Sequence, residues 1–225
     1  MDSRMDSNNS SILELRIYEI NDSVISDWVR AFDSEVRVIN ESNGAEIMGE
    51  GFNNNKKNEF IWIRSFPGLE SREVIRSRIY GGSDWLNIQD RIRGMLDTRT
   101  EQLLYPIGLW SPGDQLFRTD NKNQINEIRV YEINEGQMDD WVTIFQEKIL
   151  KLHYDNHVHV GGLFRTIEDD NTFVWFRSFD DEEHRKIATQ NIYQGEEWAN
   201  ISDRVSNLLK DYSNMRELNP LKWFH

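Results

Sequence analysis

From Ile12 to Ile20 the chain alternates, with Leu13, Leu15 and Ile17 on one side and Glu14, Arg16 and Tyr18 on the other. A period of two marks a strand with one apolar and one polar face. Asn21-Asp22-Ser23 ends it and offers a helix cap. Val24, Ile25, Trp28, Val29, Phe32, Val36 and Ile39 then fall at helical spacing. They predict a helix of about five turns that ends near Asn43-Gly44. A second strand is expected over Ala45–Phe52, a polar turn over Asn53–Asn58, and a third strand that Pro67-Gly68 breaks. Leu69–Tyr80 and Asp84–Thr98 read as helices separated by Gly81-Gly82, and Glu101–Tyr105 as a short last strand closed by Pro106. The order is βαββαβ with a split second helix, the ferredoxin-like arrangement.

The pattern then repeats. Phe60-Ile61-Trp62-Ile63-Arg64-Ser65-Phe66 returns as Phe173-Val174-Trp175-Phe176-Arg177-Ser178-Phe179, and Glu14-Leu15-Arg16-Ile17-Tyr18 as Glu127-Ile128-Arg129-Val130-Tyr131, both 113 positions on. Asp27-Trp28-Val29 matches Asp140-Trp141-Val142, and Trp85 matches Trp198. A period this long is no solenoid unit, since those run to about 20–50 residues, so the chain carries a duplicated domain. The second copy is expected to place strands over Ile125–Ile133, His157–Thr166 and Phe173–Phe179, with a short one near Met215–Leu218. Its helices are expected over Gln137–Leu152 and, split, over Asp181–Asp211. The organisation read from this is a disordered leader over 1–11, a first repeat over 12–107, a linker over 108–124 and a second repeat over 125–225. One ferredoxin-like unit covers one sheet face with helices and leaves the other open. Two in one chain can bury the open faces together, giving an α+β fold in which both repeats form an intramolecular pseudo-dimeric α/β barrel.

Three motifs carry a resemblance. Glu-Leu-Arg-x-Tyr opens the first repeat at Glu14–Tyr18, and Glu-Ile-Arg-Val-Tyr the second at Glu127–Tyr131. The apolar-Trp-apolar-Arg-x-Phe strand is followed by Arg72 in one copy and Arg185 in the other. Tyr80-Gly81-Gly82 with Trp85 departs to Tyr193-Gln194-Gly195 with Trp198, and Gly162-Leu163-Phe164-Arg165 adds a fourth stretch. In this order and spacing the chain resembles tandem NIPSNAP-like domains of the dimeric α/β-barrel superfamily. That resemblance implies ferredoxin-like units paired into a barrel. The superfamily includes cofactor-free monooxygenases, dehydratases, cyclases, isomerases and haem-dependent enzymes, so fold alone does not select a reaction.

Composition narrows the field. The chain has 225 residues, net charge −13, and acidic residues spread along its length. That is a solvated surface, and its sign argues against binding a nucleic-acid backbone. With no cysteine, disulfides, thiolate nucleophiles and thiolate metal sites are excluded. No apolar run approaches the ~20 residues that span a bilayer, so no membrane partner is expected. Met1–Ser11, with Asp2 and Asp6, resembles neither a signal nor a transit peptide, and the cytoplasm is the default location.

Candidate chemistry sits in three places. The polar strand face unites Glu127, Arg129 and Tyr131 with Trp175, Arg177 and Phe179, as in the first copy. It reads either as a satisfied polar core inside the barrel or as an anion-binding or proton-transfer pocket. Asymmetry between the copies points to His153, His157 and His159, where the first repeat has Asn40, Gly44 and Glu46. Imidazoles suit acid–base work near neutral pH or metal ligation, though at a strand start they are equally ordinary loop residues. Phe164, Trp175, Phe176 and Tyr193 could wall a pocket for a flat apolar molecule. His184 and the acids Asp180–Glu183 read as helix-start residues. Gly161-Gly162 reads as a bulge or close backbone approach.

The function expected is a small-molecule enzyme of specialised metabolism, acting by acid–base chemistry on a largely apolar substrate. Cyclisation, isomerisation, elimination and cofactor-free oxygenation all remain open. One of His153, His157 and His159 is the expected base, Arg177 or Arg129 stabilises an oxyanion, and Tyr131 donates a proton. Glu127, Arg129, Phe164, Trp175, Phe176 and Tyr193 are the expected substrate contacts. No metal or cofactor is expected. The alternatives are a haem enzyme with a His ligand and a non-catalytic binding protein, and a further homodimer stays open.

Overall fold

The alternating residues of β1 (Ile12–Ile20) are buried on both sides, apart from a half-exposed Glu19. Glu14, Arg16 and Tyr18 lie between the sheet and its helices, while Leu13, Leu15 and Ile17 are buried on the opposite face. The polar face therefore packs under helices, not inside the barrel as the sequence suggested. The computed structural model describes residues 11–108, 110, 111, 113–118 and 123–222. The leader over 1–11, Ser11 apart, and the terminal His225 lie outside the described residues.

Among the described residues the first unit covers 11–105 with 220–222. Beyond β1 it contains α1 (Ile25–Ala31), α2 (Arg37–Ser42), β2 (Glu46–Asn53), β3 (Lys56–Phe66), α3 (Leu69–Gly81), α4 (Ser83–Arg93) and β4 (Leu96–Pro106). All strand pairs are antiparallel, in the order β4-β1-β3-β2. Glu14 lies opposite Arg64, and Arg16 opposite both Trp62 and Glu101. Asn21 accepts a hydrogen bond from the Ser23 amide and starts the helical segment, as its residue type predicts.

Between α1 and α2 the chain makes one wide π turn, Phe32–Val36. Its cause is legible in Trp28, Phe32, Val36 and Asn40, all buried and all four apart. A four-residue step overshoots an α-helical turn by about 40°. A turn with i→i+5 bonding absorbs the drift and keeps all four on the sheet side.

The second unit, Pro106–Asn219, repeats this plan. Its elements are β5 (Ile125–Ile133), α5 (Met138–Ile144), a π turn (Phe145–Ile149), α6 (Leu150–Asp155), β6 (His159–Thr166) and β7 (Thr172–Phe179). Then come α7 (Glu182–Gln194), α8 (Glu196–Ala199), α9 (Ser202–Leu208) and β8 (Leu209–Lys222). Strand order is β8-β5-β7-β6, with Glu127 opposite Arg177 and Arg129 opposite Trp175.

Three expectations change. The last strand of each repeat is long, not short: polar residues such as Thr98, Arg99 and Thr100 pair with β1 despite a pattern that suggested helix or loop. Lys56–Asn58 joins β3, leaving Asn54-Asn55 as the turn. The stretch read as a linker is partly structure of the second unit. Ile107 donates its amide to Leu163 O, Leu116 and Phe117 are buried, and the Arg118 amide reaches Ser178 Oγ at 3.2 Å. Gly161 makes this possible, because a Cβ there would lie 1.9 Å from Leu116 O. β6 is bulged at the same glycines, between Val160 and Gly162.

Candidate active site

β5 and β7 present alternate residues to the helices, so Glu127, Arg129 and Tyr131 meet Arg177 and Trp175 across the ladder. Arg177 donates its Nε to Glu127 Oε2 at 2.7 Å and places Nη2 at the same distance from that oxygen. Its Nη1 donates to Tyr193 Oη at 3.3 Å. Helices close over this face with Trp141, Phe145 and Ile149. What they enclose is a cavity of about 440 Å³ lined by Arg129, Tyr131, Trp175, Arg177, Tyr193 and Tyr212, and further by Trp141, Trp198, Thr189 and Ser206.

The first repeat has the same cavity at the same positions, but it measures about 150 Å³. Four of its lining residues, Arg76, Arg93, Arg99 and Glu101, align at the repeat offset with Thr189, Ser206, Tyr212 and Asn214. Arg76 reaches Glu14 at 3.3 Å and Glu101 at 3.1 Å. Arg16 donates to Tyr18 Oη at 2.6 Å, to Glu101 at 2.5 Å, and to Glu14. This clasp fills the space. Glu14 also binds Arg64 and Arg72. Burial alone would raise its carboxyl, but Arg64, Arg16 and Arg72 outweigh burial and hold it at about 2.

In the second repeat the clasp is gone. β8 carries a bulge: Val130 lies opposite Asn214 but Glu132 opposite Asp211, so Tyr212 and Ser213 share one position of β5. Downstream residues slide by one, and Met215 lies opposite Arg129 where Glu101 lies opposite Arg16. Arg129 keeps the Tyr131 hydroxyl as a hydrogen-bond partner, but its nearest carboxylate is distant, Glu127 at 3.7 Å. Its buried Nε has no hydrogen-bond partner among the described residues. Burial raises the Tyr131 hydroxyl above the ordinary phenol range, against the pull of Arg129 and Arg177. Tyr131 is therefore a neutral phenol at pH 7, able to donate a proton.

Of the residues expected from sequence, Arg129, Tyr131, Trp175, Arg177 and Tyr193 line the cavity together. Glu127 sits behind it, holding Arg177 and within 3.6 Å of Arg185. Phe164 and Phe176 do not line it. Neighbouring strand residues point to opposite faces, so Trp175 and Phe176 cannot share a wall; Phe176 packs instead on Phe117 and Phe164.

The three histidines separate. His153 is fully buried and does the work of Asn40: it donates Nδ1–H to Ile149 O at 2.8 Å and accepts from Arg177 Nη1 at 3.2 Å. Asn40 donates to Val36 O at 2.7 Å and accepts from Arg64. Burial and the neighbouring Arg177 push His153 down to about 3, so it is a poor base at neutral pH and does not fit the catalytic role expected of it. His157 is exposed at φ +59, outside β6, on the turn that Gly44 makes at φ +98 in the first repeat. His159 lies in an open groove beside Gly161, with Nε2 3.0 Å from Gln115 O. No histidine lines the aromatic cavity, and both ring nitrogens of His153 are engaged, so the cavity offers haem no histidine ligand. Asp181 caps α7 through the His184 amide at 2.8 Å, as its helix-start position implied.

Sequence reasoning missed Trp141, Phe145, Thr189, Trp198, Ser206 and Tyr212 as lining residues. For Thr189 and Ser206 the signal was present, since they stand where the first repeat has Arg76 and Arg93; Trp141, Phe145 and Trp198 repeat Trp28, Phe32 and Trp85 and carried none.

The NIPSNAP family profile matches residues 126–223. The match covers the second repeat and stops short of the first. No curated protein matches the sequence. Full-length likeness extends to solved structures. A proposed monooxygenase from Lactobacillus acidophilus NCFM aligns over 94% of both chains at 11% identity and a TM-score of 0.64. One from Fusobacterium nucleatum aligns over 95% of this chain and 93% of its own, at 12% identity and 0.63. An anthrone oxidase-like protein aligns over 96% and 93%, at 8% identity and 0.63. At these identities the likeness is one of fold, shared over nearly the whole of each chain. Among the described residues no helix is long and apolar enough to cross a membrane.

Proposed function

We propose that the second repeat is the working half of a small-molecule enzyme, and that its reaction is a cofactor-free oxygenation of a flat, enolisable aromatic substrate. The observation that carries this reading is the difference between the repeats: one fold, one set of strand residues, and a cavity about threefold larger in the second. Its size supports a ligand-binding role over a filled scaffold. Its walls are aromatic, its floor is cationic, and no carboxylate or imidazole lines it. Such a site favours a substrate that ionises easily. Arg129 and Arg177 would raise the acidity of an activated C–H by stabilising the enolate oxygen, its proton leaving to solvent water. The electron-rich carbanion reduces O2 and forms a C–O bond to it. The peroxide anion takes a proton from solvent; the carbon then gives its second proton to solvent as the O–O bond breaks, the outer oxygen leaves as water with the proton of Tyr131, the phenolate is reprotonated from solvent, and a ketone remains. One CH2 and one O2 become C=O and H2O, so no outside reductant enters. The names of the full-length structural neighbours, two proposed monooxygenases and an anthrone oxidase-like protein, favour oxygenation over cyclisation, isomerisation or elimination.

The test uses anthrone and a short panel of enolisable aryl ketones, followed by O2 uptake and product absorbance. Turnover above the buffer rate is expected for at least one. Arg129→Met and Tyr131→Phe should each lower kcat/KM at least tenfold, about 1.4 kcal/mol of transition-state stabilisation. Rates equal with and without protein across the panel would sink the reading.

A further inference from the structure

We infer that the ligand of the second repeat carries an ionised oxygen, a carboxylate or phenolate, on a planar aromatic body, and that Arg129 is its receptor. The inference rests on reading this cavity as the site and does not depend on the reaction.

The argument is a comparison of charges at matched positions. In the first repeat Arg16 is satisfied by Glu14, Glu101 and the Tyr18 hydroxyl. In the second, Arg129 is only 17% exposed, its nearest carboxylate oxygen is 3.7 Å away, and its Nε is unpartnered among the described residues. The Glu127 oxygen it approaches is already held at 2.7 Å by Arg177. A guanidinium shielded from water without a close anion is costly, because its desolvation is not repaid by pairing. An anion entering the cavity supplies the missing partner.

The Glu101 carboxylate has no counterpart: Asn214 stands at the repeat offset, and the bulge at Tyr212-Ser213 puts Met215 opposite Arg129. Thr189, where the first repeat has Arg76, removes a long side chain from the space. The same bulge brings Tyr212 to the cavity rim, where its ring lies 6.4 Å from that of Tyr131. Aromatic walls favour stacking on a planar body, and a guanidinium favours an anionic oxygen acceptor.

Isothermal titration calorimetry with 2-naphthoate and the uncharged 2-naphthamide tests this on the full chain. Naphthoate should bind at one site per chain, at least tenfold tighter than naphthamide. Arg129→Gln should bring the two affinities within about twofold while leaving naphthamide unchanged. Met215→Glu, which restores a carboxylate opposite Arg129, should expel naphthoate and spare naphthamide, and it answers the question even if Arg129→Gln fails to fold. Equal affinities in the unaltered protein, equal loss of both ligands in Arg129→Gln, or no binding of either at millimolar concentration would each overturn the inference. Anion-selective binding without oxygen chemistry would sink only the oxygenase reading. Turnover of a ketone without anion selectivity would sink only this one.

Discussion

Replacing His153 with Asn transplants the first repeat's Asn40 into the second. Both side chains donate to a carbonyl four residues back and accept from the β-strand arginine, so His153→Asn keeps the contacts and removes a titratable group. Burial, with Arg177 beside it, lowers His153 from 6.5 to about 3. The sign follows directly. Above pH 6.5 the imidazole is neutral in the folded and unfolded chain alike, and it costs nothing. Below 6.5 the unfolded chain takes up a proton that the folded chain refuses, so stability falls as pH falls, until the folded group titrates near 3. At pH 5 the loss is about 2 kcal/mol, from 1.36 kcal/mol per unit over the interval. Urea unfolding of both proteins at pH 7.5 and pH 5 reads it. His153→Asn should lose about 2 kcal/mol less between the two pH values. Carboxylates such as Glu14 titrate lower and act equally on both proteins. Equal losses would show that His153 is protonated in the folded protein, and would reopen its candidacy as a base.

Glu14 gives the opposite limb. Its carboxyl, at about 2 against an ordinary 4.5, contributes about 3 kcal/mol that is present above pH 4.5 and lost as pH falls toward 2; Glu14→Gln should flatten that part of the acid unfolding curve while lowering stability at pH 7 by about 3–5 kcal/mol, since it leaves buried guanidiniums unpaired. Gly161→Ala should destabilise by about 1–3 kcal/mol and expose the Ile107–Arg118 stretch to limited proteolysis, because the added methyl displaces the Leu116 backbone. Thr189→Arg, copying Arg76, should refill the second cavity and abolish ligand binding, with the melting temperature changed by no more than a few degrees.

Much of the fold was legible because it rests on local pattern. β1 and β5 were read to the residue from alternation alone, and the gapless repeat fixed two ferredoxin-like units. What failed depends on partners. Thr98–Thr100 and Lys210–Asn214 carry no apolar alternation, and only pairing with β1 and β5 makes them strands. The π turns were missed because a four-residue apolar spacing was read as ordinary helix. At the site, the polar strand face was found and its direction was not. A period of two separates the faces of a sheet without saying which face meets helices. Phe164 and Phe176 were misplaced for a simpler reason, since strand parity already excluded Phe176 from a wall shared with Trp175.

The histidines point to a more general difficulty in reading a duplicated chain. A gained imidazole draws attention because it can do chemistry. Yet His153 took over an existing hydrogen-bonding role, and His157 occupies a left-handed turn position that glycine fills in the first repeat. The consequential differences are losses. Arg76 and Glu101 clasp across the first cavity, and their counterparts Thr189 and Asn214 do not. A cavity lined by a cation is less stable than the clasped version unless something occupies it. The first repeat shows that this fold can close the space with two residues. The second keeps Arg129 and Arg177 in place and discards what would satisfy Arg129. A purely structural barrel gains nothing from that exchange, whereas a site for an anionic aromatic molecule requires it.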